Sequence, residues 1–383
     1  MEIDIRKKAA CALNRIFGFE PRLGLSLIEY AGSPEAVFGM DREMVRQAMG
    51  PYWKYISQIC PSSLDSAGKE LDRVYDSGGS FIGMGEEGYP TLLSECEDPP
   101  IGLYVRSVDD PADIFGRRPA IAIVGTRDMS PYGEGWCRDF IECLSSLPEK
   151  PLIISGLAYG VDITAHRAAL DKGLPTIAVM ATGIDSVYPR NHIHTADRMA
   201  QTPGCALVTD YPVGTSPLAI HFMRRNRIIA GLSESVILVE SRIRGGGMIT
   251  ARLGNSYNRS VYALPGRIDD IRSQGCNLLI REKIAEATGS VEELVAAMGL
   301  GRPGRRQGKD PGSLIALAFP EASPGLREEL TAVATTVKGH RGIDIGGIKD
   351  ETGMSHGDVA GLLEMLCAGG IISMDLLGQC RFM

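Results

Sequence analysis

The sequence predicts an α/β protein organised around a doubly wound, mostly parallel β-sheet, with a small helical domain before it and a winged helix after it. Between Ala120 and Leu264, six short apolar runs alternate with segments of helical length, and each run leads into a turn that contains glycine. Nearly continuous apolar strands that alternate with helices are typical of a parallel sheet covered on both faces. The residues before this region have the pattern of several short helices. The residues after it show three helices followed by two short strands, the order of a winged helix.

We therefore divide the chain of 383 residues into four segments. They are a helical domain over 1–78, a sheet domain over 79–298, a linker over 299–312 and a winged-helix domain over 313–383. The linker is assigned because its sequence is rich in Gly, Pro, Arg and Lys. A chain of this length is sufficient for two or three domains.

The elements follow from apolar periodicity and from helix-start residues such as Ser33, which precedes Pro34 and Glu35. In the first segment we predict helices over 9–16, 22–30, 34–38, 41–49 and 64–75. In the sheet domain we predict strands over 81–85, 102–105, 120–124, 152–154, 176–180, 206–209, 236–240 and 261–264. In the last segment we predict helices over 324–337, 345–352 and 356–367 and strands over 371–373 and 379–382.

Composition limits the kind of site and the compartment. Hydrophobic residues make up 44% and charged residues 23%, which is ordinary for a soluble globular protein. A net charge of -7 argues against a broadly basic surface, so any nucleic-acid site must be a local groove. The nine cysteines include no C-x-x-C pair, which favours reduced thiols in the cytoplasm over disulfides or zinc. We see neither a signal peptide nor an apolar run long enough to span a membrane, and we expect no metal and no cofactor.

The stretch from His221 to Ser233 contains three arginines within four residues, followed by an apolar run. If this stretch is a helix, Arg225 shares one face with Ile228, Ile229 and Leu232. Arg224 and Arg227 would then point outward from the adjoining face. Guanidinium groups match phosphate oxygens, and an aromatic ring offers a stacking surface for a base. Phe222 is the candidate for stacking. The residues equally fit an amphipathic helix whose arginines pair with nearby carboxylates, with Phe222 in the core.

Two glycine-containing loops follow the first two strands of the parallel region. Gly125, Thr126 and Arg127 could hold a phosphate through backbone N–H groups, a hydroxyl and a guanidinium, although a generic tight turn also explains the loop. The loop does not match G-x-G-x-x-G, and the chain has no Walker motif. The second loop begins with Ser155 and Gly156. No G-x-S-x-G elbow surrounds this serine, so hydrolysis with His166 as the base is not supported.

A third loop is the most basic part of the chain. Gly245, Gly246 and Gly247 open a helix and can form an anion nest of backbone N–H groups. Arg242 and Arg244 flank the nest, and Thr250 lies in the helix that follows. Over residues 221–260, seven Arg against two Glu give a local charge of +5 inside an acidic chain. A phosphate is the ligand that this arrangement favours.

Together these motifs resemble those of the DNA-processing protein A (DprA/Smf) family. The resemblance covers about 85 to 285 and rests on blocks that occur in the family's order. The matching segments are 124–127 with 132–133, 155–162 with 165–166, 183–191, 224–233, 246–247 with 250–251, 263–266 and 275–280. The chain departs from the family where Met223 follows Phe222 and where Gly245 stands in place of a serine. The two ends of the chain match the family only weakly.

The resemblance implies an extended Rossmann-like sheet domain, an N-terminal SAM-like helical domain and a C-terminal winged helix. It implies a protein that is not an enzyme but binds single-stranded DNA in natural transformation. Such proteins protect incoming DNA, help to load the RecA recombinase and are usually homodimers. The residues expected to bind DNA are Gly125, Thr126, Arg127, Ser155, Gly156, Phe222, Arg224, Arg225, Asn226, Arg227, Arg244, Gly245, Gly246, Gly247 and Thr250.

Two other classes of function remain open. The glycine-rich loop also resembles that of nucleoside-monophosphate phosphoribohydrolases, whose P-G-G-x-G-T-x-x-E motif supplies a catalytic glutamate. Here Leu253 stands where that acid would be. A nucleotide-binding module without catalysis is the third class. If the protein binds single-stranded DNA, we expect one groove at the carboxyl edge of the sheet. It should be lined by Arg127, Arg224, Arg227 and the glycines of 245–247.

Overall fold

The computed structural model describes residues 3–50, 53–117, 119–301, 311–340, 342–375 and 378–382. By their contacts the residues form two compact units, Met1–Pro303 and Gly304–Met383. Each unit has its own buried core. The candidate site lies entirely within the first unit.

The first unit begins with helices α1 to α5, which precede the first strand. Polar side chains start several of them: Asp4, Ser33 and Asp41 each accept a backbone N–H bond from the first turn of the helix that follows. The helices are α1 Ile5–Phe17, α2 Pro21–Ala31, α3 Pro34–Gly39, α4 Arg42–Met49 and α5 Pro61–Asp76, with a 3-10 helix at Trp53–Gln58.

The rest of the first unit is a nine-stranded sheet with its connecting helices. The strands are β1 Gly79–Gly83, β2 Gly102–Arg106, β3 Ala120–Val124, β4 Leu152–Ser155, β5 Thr176–Val179, β6 Ala206–Thr209, β7 Ser235–Leu238, β8 Ser260–Ala263 and β9 Glu286–Ala287. The helices are α6 Thr91–Ser94, α7 Pro111–Phe115, α8 Pro131–Ser145, α9 Val161–Asp171, α10 Ile193–Ala200, α11 Ala219–Gly231, α12 Gly246–Ser256, α13 Gln274–Arg281 and α14 Val291–Ala297.

The strand order is β1-β2-β6-β5-β4-β3-β7-β8-β9. All neighbouring pairs from β6 to β9 are parallel, whereas β2 is antiparallel to both β1 and β6. From β3 the chain first builds the sheet in one direction through β4, β5 and β6, and then returns to add β7 on the other side of β3. The boundary between β3 and β7 is therefore the switch point of a doubly wound sheet, where such sheets bind ligands.

Helices cover both faces of the sheet. One face packs against α11, α12 and α13, and the other packs against α8, α9 and α14 and, further along, against α10 and α5. The central strands β3 to β7 are fully buried, and most of their residues are Ala, Val, Ile or Leu. The expected α/β, Rossmann-like fold class is confirmed.

A buried carboxylate joins the first helices to the sheet. Glu70, on α5, is 1% exposed and accepts hydrogen bonds from the Tyr104 hydroxyl at 2.8 Å and from the backbone N–H of Val213 at 2.9 Å. Arg15, on α1, forms an ion pair with the same carboxylate at 2.5 Å. These three partners satisfy a charge that would otherwise be costly to bury.

The second unit contains helices α15 Pro311–Ala318, α16 Pro324–Gly339, α17 Ile345–Thr352 and α18 His356–Ala368. A two-stranded antiparallel sheet, β10 Ile372–Met374 and β11 Cys380–Phe382, follows α18. This order agrees with the predicted winged helix. The sequence pattern did not reveal β9 or α15, because β9 has only two residues and α15 begins within the segment expected to be a linker.

Candidate nucleic-acid interface

A groove of about 740 Å³ lies at the switch point of the sheet. Its floor is the end of β3 with the loop that follows, and its walls are the first turns of α11 and α12. The predicted site residues that line it are Gly125, Thr126, Arg127, Phe222, Arg225, Asn226, Arg244, Gly245, Gly246, Gly247 and Thr250. Of the residues expected to converge at the carboxyl edge, Arg127 and the glycines of 245–247 line this groove.

Glu240 holds the loop after β3 in place. This carboxylate, at the end of β7, is 1% exposed and accepts hydrogen bonds from the Ser130 backbone N–H at 2.9 Å and from the Ser130 hydroxyl at 2.5 Å. The backbone N–H of Thr126 donates to the Glu240 carbonyl at 2.7 Å. Because both ends of the loop are tied to β7, the groove side chains between them are presented by a fixed backbone.

The N-terminus of α12 forms the second wall. The residue preceding this helix is Gly245, and no side chain caps the first turn. Backbone N–H groups at a helix start without a capping side chain are free to bind an anion, which the helix dipole also favours. A side chain at Gly247 would meet Gly125 at 3.1 Å, so glycine is required for α12 to approach the loop after β3.

The exposed charge of the groove is mainly positive. Arg127 and Arg244 are exposed, and neither forms an ion pair with any residue that the structure describes. Asp128 is engaged, because Arg272 pairs with its carboxylate at 3.0 Å and Arg242 lies 4.0 Å away. Two guanidinium groups are thus available for an anionic ligand.

Phe222 places an aromatic ring inside the groove. The ring is partly exposed and contacts the Tyr188 ring edge-on, with 5.6 Å between centroids. The Arg127 guanidinium lies over the ring, 5.1 Å from its centroid. The ring is not part of the hydrophobic core around Ile228.

Arg225 is a buried cation beneath the groove. It is 3% exposed and donates hydrogen bonds to the Gly156 carbonyl at 2.6 Å and to the Val179 carbonyl. Burial lowers the pKa of its guanidinium to about 10, although the nearby Asp162 carboxylate favours the charged form. Gly156 is necessary here, because a Cβ atom would lie 2.3 Å from an Arg225 nitrogen. The predicted helical face with Ile228 and Ile229 is confirmed, and it places Arg225 against the sheet.

The expectation that Arg224 and Arg227 point outward into the same groove is wrong. Arg227 is 5% exposed, pairs with Asp210 at 2.6 Å and donates to the Asp98 carbonyl. Arg224 donates to the Gly18 carbonyl at 3.1 Å and to the Phe19 carbonyl, and its guanidinium lies over the Phe19 ring. Both arginines face segments that are distant in sequence, so helical periodicity alone could not reveal their partners.

Ser155 and Gly156 also lie outside the groove lining. The Ser155 hydroxyl is fully buried and donates to the Ile123 carbonyl at 2.6 Å, which joins β4 to β3. The backbone N–H of Gly156 donates to the Asp162 carboxylate at 3.1 Å. These residues support the groove from below. They do not reach its surface, because Arg225 lies directly over Gly156.

Tyr188 and Arg242 also line the groove, although Tyr188 was not predicted as a site residue and Arg242 was predicted only to flank the glycine nest. Tyr188 lies in a segment on which the resemblance rests, and Arg242 lies in the basic loop. The sequence therefore identified both segments but not the direction of these two side chains. Among the residues that the structure describes, no cluster of His, Cys, Asp or Glu could hold a metal ion. In the same part of the chain, every helix is too short or too polar to cross a membrane.

The fold and the site define a Rossmann-like α/β protein with an arginine-lined groove at the switch point of its sheet. Residues 80–299 match the family model described as DNA recombination-mediator protein A. The chain belongs to this family.

Two relatives illustrate how far the likeness extends. Protein Smf of Escherichia coli is 36% identical over 259 residues, which are 66% of this chain and 67% of that protein. The putative DNA processing protein DprA of Mycobacterium tuberculosis is 31% identical over 330 residues, 83% of this chain and 79% of its own length.

Solved structures show the same likeness. The structure of DprA from Streptococcus pneumoniae superposes with a TM-score of 0.64 at 30% identity and covers 77% of this chain and 98% of its own. DprA from Helicobacter pylori, whose structure is described in terms of its single-stranded DNA binding mode, gives a TM-score of 0.51 at 28% identity over 57% of this chain and 95% of its own.

Proposed function

We propose that the groove binds single-stranded DNA and that the protein acts on DNA as a binding protein and not as an enzyme. One observation is the main support for the proposal. Two guanidinium groups that form no ion pair with a described residue, those of Arg127 and Arg244, lie beside the uncapped start of α12. Phosphate is the anion that guanidinium groups and helix N-termini share as a ligand.

Single strands are favoured over other phosphate ligands because of Phe222. Proteins that bind single strands combine a basic groove along the backbone with aromatic side chains on which bases stack. The Phe222 ring lies beside Arg127 within the groove, so a phosphate and its base could be held together. The described DNA binding of the Helicobacter pylori relative supports the same ligand.

Phosphoribohydrolase activity has no comparable support among the groove residues. The groove's two carboxylates are both engaged, Asp128 with Arg272 and Asp162 with the N–H groups of Gly156 and Ala158. A catalytic acid would need to reach a substrate in the groove. We therefore infer that binding, not hydrolysis, is the function of this site.

The experiment is a salt series of dissociation constants for a fluorescent oligothymidylate. Arg127→Ala and Arg244→Ala should each weaken binding and reduce the slope of log K against log salt by about 0.7, the value for one single-strand phosphate contact. Arg138→Ala is the matched control, because Arg138 is an exposed arginine of α8 that pairs with Glu134. An unchanged slope in both groove variants would overturn the proposal. Release of free base from nucleoside monophosphates, measured in parallel, would favour the hydrolase.

We extend the proposal to the cellular role that membership of the family implies. The protein would protect incoming single strands during natural transformation, help to load the RecA recombinase and act as a homodimer. Light scattering of the purified chain tests the dimer. RecA filament formation on coated single strands, with and without this protein, tests the loading.

A further inference from the structure

We propose that a strand bound in the groove continues past Tyr188 onto an aromatic shelf formed by Tyr159, Tyr188 and Arg190. This inference rests on the proposed binding of single strands and extends it to a second subsite. The shelf would hold nucleotides beyond those in the groove, by base stacking on the two tyrosines and by one phosphate contact.

Tyr188 connects the two subsites. Its ring lines the groove and contacts the Phe222 ring edge-on, yet the residue is 45% exposed. A ring in this position has one part inside the groove and another part facing solvent. A base that leaves Phe222 would therefore meet Tyr188 next.

Tyr159 extends the surface from the loop after β4. Ala158, immediately before it, lines the groove, and the loop packs against the Arg127 backbone at Gly160. Tyr159 is 43% exposed and contacts the His192 ring edge-on at 4.8 Å. His192 lies in the 3-10 helix Arg190–His192, which directly follows Tyr188 and Pro189 in the chain.

The backbone that presents Tyr159 is held in an unusual conformation. Leu157 has a φ of 57°, which is rare and costly for a bulky residue, and its side chain is buried. The His192 Nδ1–H group donates to the Leu157 carbonyl at 2.8 Å. The same histidine thus fixes the loop and supports the Tyr159 ring, so the ring stays exposed without being mobile.

Arg190 supplies the charge of the shelf. It is exposed, and it pairs with no carboxylate in the part of the chain that the structure describes. The nearby Asp185 is engaged, because its carboxylate accepts the Gly214 N–H at 2.9 Å. The shelf therefore has an available cation, and the single carboxylate between 182 and 192 is bound by the Gly214 N–H and not by Arg190.

A purely structural role does not explain the two tyrosines. Neither hydroxyl forms a hydrogen bond with a described residue, and large apolar rings this exposed are informative when they lie together. Tyr132, also exposed, differs because its hydroxyl donates to the Pro265 carbonyl at 3.0 Å. Exposed aromatic rings, with an exposed arginine two residues after one of them in the chain, are the kind of surface on which the bases of a single strand stack.

The test uses the full chain and oligothymidylates of roughly 4, 8 and 12 nucleotides, lengths within the range of known single-strand sites. Tyr159→Ala should weaken binding of the two longer strands by about 5- to 150-fold, a range that corresponds to stacking of one base. Binding of the shortest strand should change by less than about twofold, because Tyr159 lies outside the groove. Tyr159→Phe should bind all lengths as the unmodified chain does, since it keeps the ring.

Tyr30→Ala is the control, because Tyr30 is also exposed, at 57% against 43% for Tyr159, but lies on α2 and not at the groove. Equal affinity of Tyr159→Ala and the unmodified chain for the longest strand would overturn the shelf. So would an equal loss at all three lengths, which would indicate damage to the groove. If the unmodified chain binds none of the strands, the proposed function itself fails. If it binds the shortest strand but gains nothing with length, only the shelf fails.

Discussion

Phe222 and Arg227 lie on the same helix, α11, but substitutions at these residues should change different properties of the protein. The Phe222 ring is in the groove, between Tyr188 and the Arg127 guanidinium. Arg227 is buried in an ion pair with Asp210. Binding should therefore depend on the first residue and folding on the second.

At Phe222 we expect a loss of affinity without a loss of stability. Phe222→Leu removes the stacking surface and should weaken single-strand binding by roughly 1–3 kcal/mol. The control is Phe140→Leu in the fully buried core, which should lower the free energy of unfolding by about 0.5–3 kcal/mol. Titration with labelled oligonucleotide and urea denaturation measure the two effects. Near-native binding with lowered stability in Phe222→Leu would instead place the ring in the core.

At Arg227 we expect the opposite result. Arg227→Ala leaves the Asp210 carboxylate buried without its partner, and breaking such a pair costs about 3–5 kcal/mol. Urea denaturation should show this loss, while the salt slope of DNA binding in the folded protein stays the same. A reduced slope with unchanged stability would show that Arg227 contacts phosphate.

His166 gives the protein a dependence of stability on pH. Its ring is fully buried, with Nδ1 bonded to Thr176 and Nε2 without a partner among the described residues. Burial, with the nearby Arg225 and His192, lowers its pKa to about 3. The unfolded chain binds this proton near pH ~6.5, so the unfolded state holds more protons between these two values. Stability must therefore fall as the pH drops through that window.

The change His166→Gln removes this dependence. Between pH ~7 and pH ~5, the free energy of unfolding of the unmodified chain should fall by roughly 2 kcal/mol relative to that of the variant. Urea denaturation at the two pH values measures the difference. A constant difference would show that His166 titrates normally in the folded protein.

The arginines show what sequence reasoning can and cannot establish about single residues. The spacing of Arg225, Ile228 and Ile229 was sufficient to predict their common buried face. Arg227 does lie on the adjoining face, but that face is covered by Asp98, 129 residues away in the chain, and by Asp210, 17 residues before it and after another strand. A helical pattern contains no information about such partners.

At the scale of elements, the contact between α12 and the loop after β3 decides whether the groove forms. A Cβ atom at Gly247 would lie 2.7 Å from a Leu238 methyl and 3.1 Å from Gly125, whereas one at Gly246 would meet nothing within 4 Å. Gly247→Ala should therefore destabilise the protein by about 1–3 kcal/mol through overpacking and weaken DNA binding. Gly246→Ala, the matched control, should change the free energy of unfolding by less than about 1 kcal/mol. Equal stabilities of the two variants in urea would contradict the close approach.

Most elements were predictable because the strands are continuous apolar runs and the helices begin at Ser, Asp or Pro. The neighbours of each strand were not. Nothing in the residues of β2 indicates that it lies antiparallel between β1 and β6. That placement depends on packing between segments that are distant in the sequence.

For the whole molecule, we predict that the second unit contributes little to single-strand binding. The start of α18 carries Ser355 and Asp358, joined by a hydrogen bond of 2.7 Å, and no Arg or Lys. Val359, Leu362 and Leu363 of the same helix are buried in the unit's own core. A recognition helix would need basic or amide side chains at this position.

Deleting residues 304–383 should therefore leave the affinity for single strands within about threefold of that of the full chain. Light scattering and circular dichroism of the truncated chain provide the control for assembly and folding. A hundredfold loss, about 2.7 kcal/mol, in a truncation that keeps its fold and oligomeric state would contradict this prediction.

The strand order also has a consequence for protein synthesis. β3 emerges early from the ribosome, but its neighbour β7 and the α12 wall of the groove follow only after β4, β5 and β6 have been made. Contacts between distant segments form late, because the chain between them must first be ordered. A nascent chain that ends before Gly245 has Arg127 and the α11 wall of the groove but lacks the α12 wall. The groove proposed to bind single strands is therefore incomplete in the growing polypeptide until most of the sheet has been made.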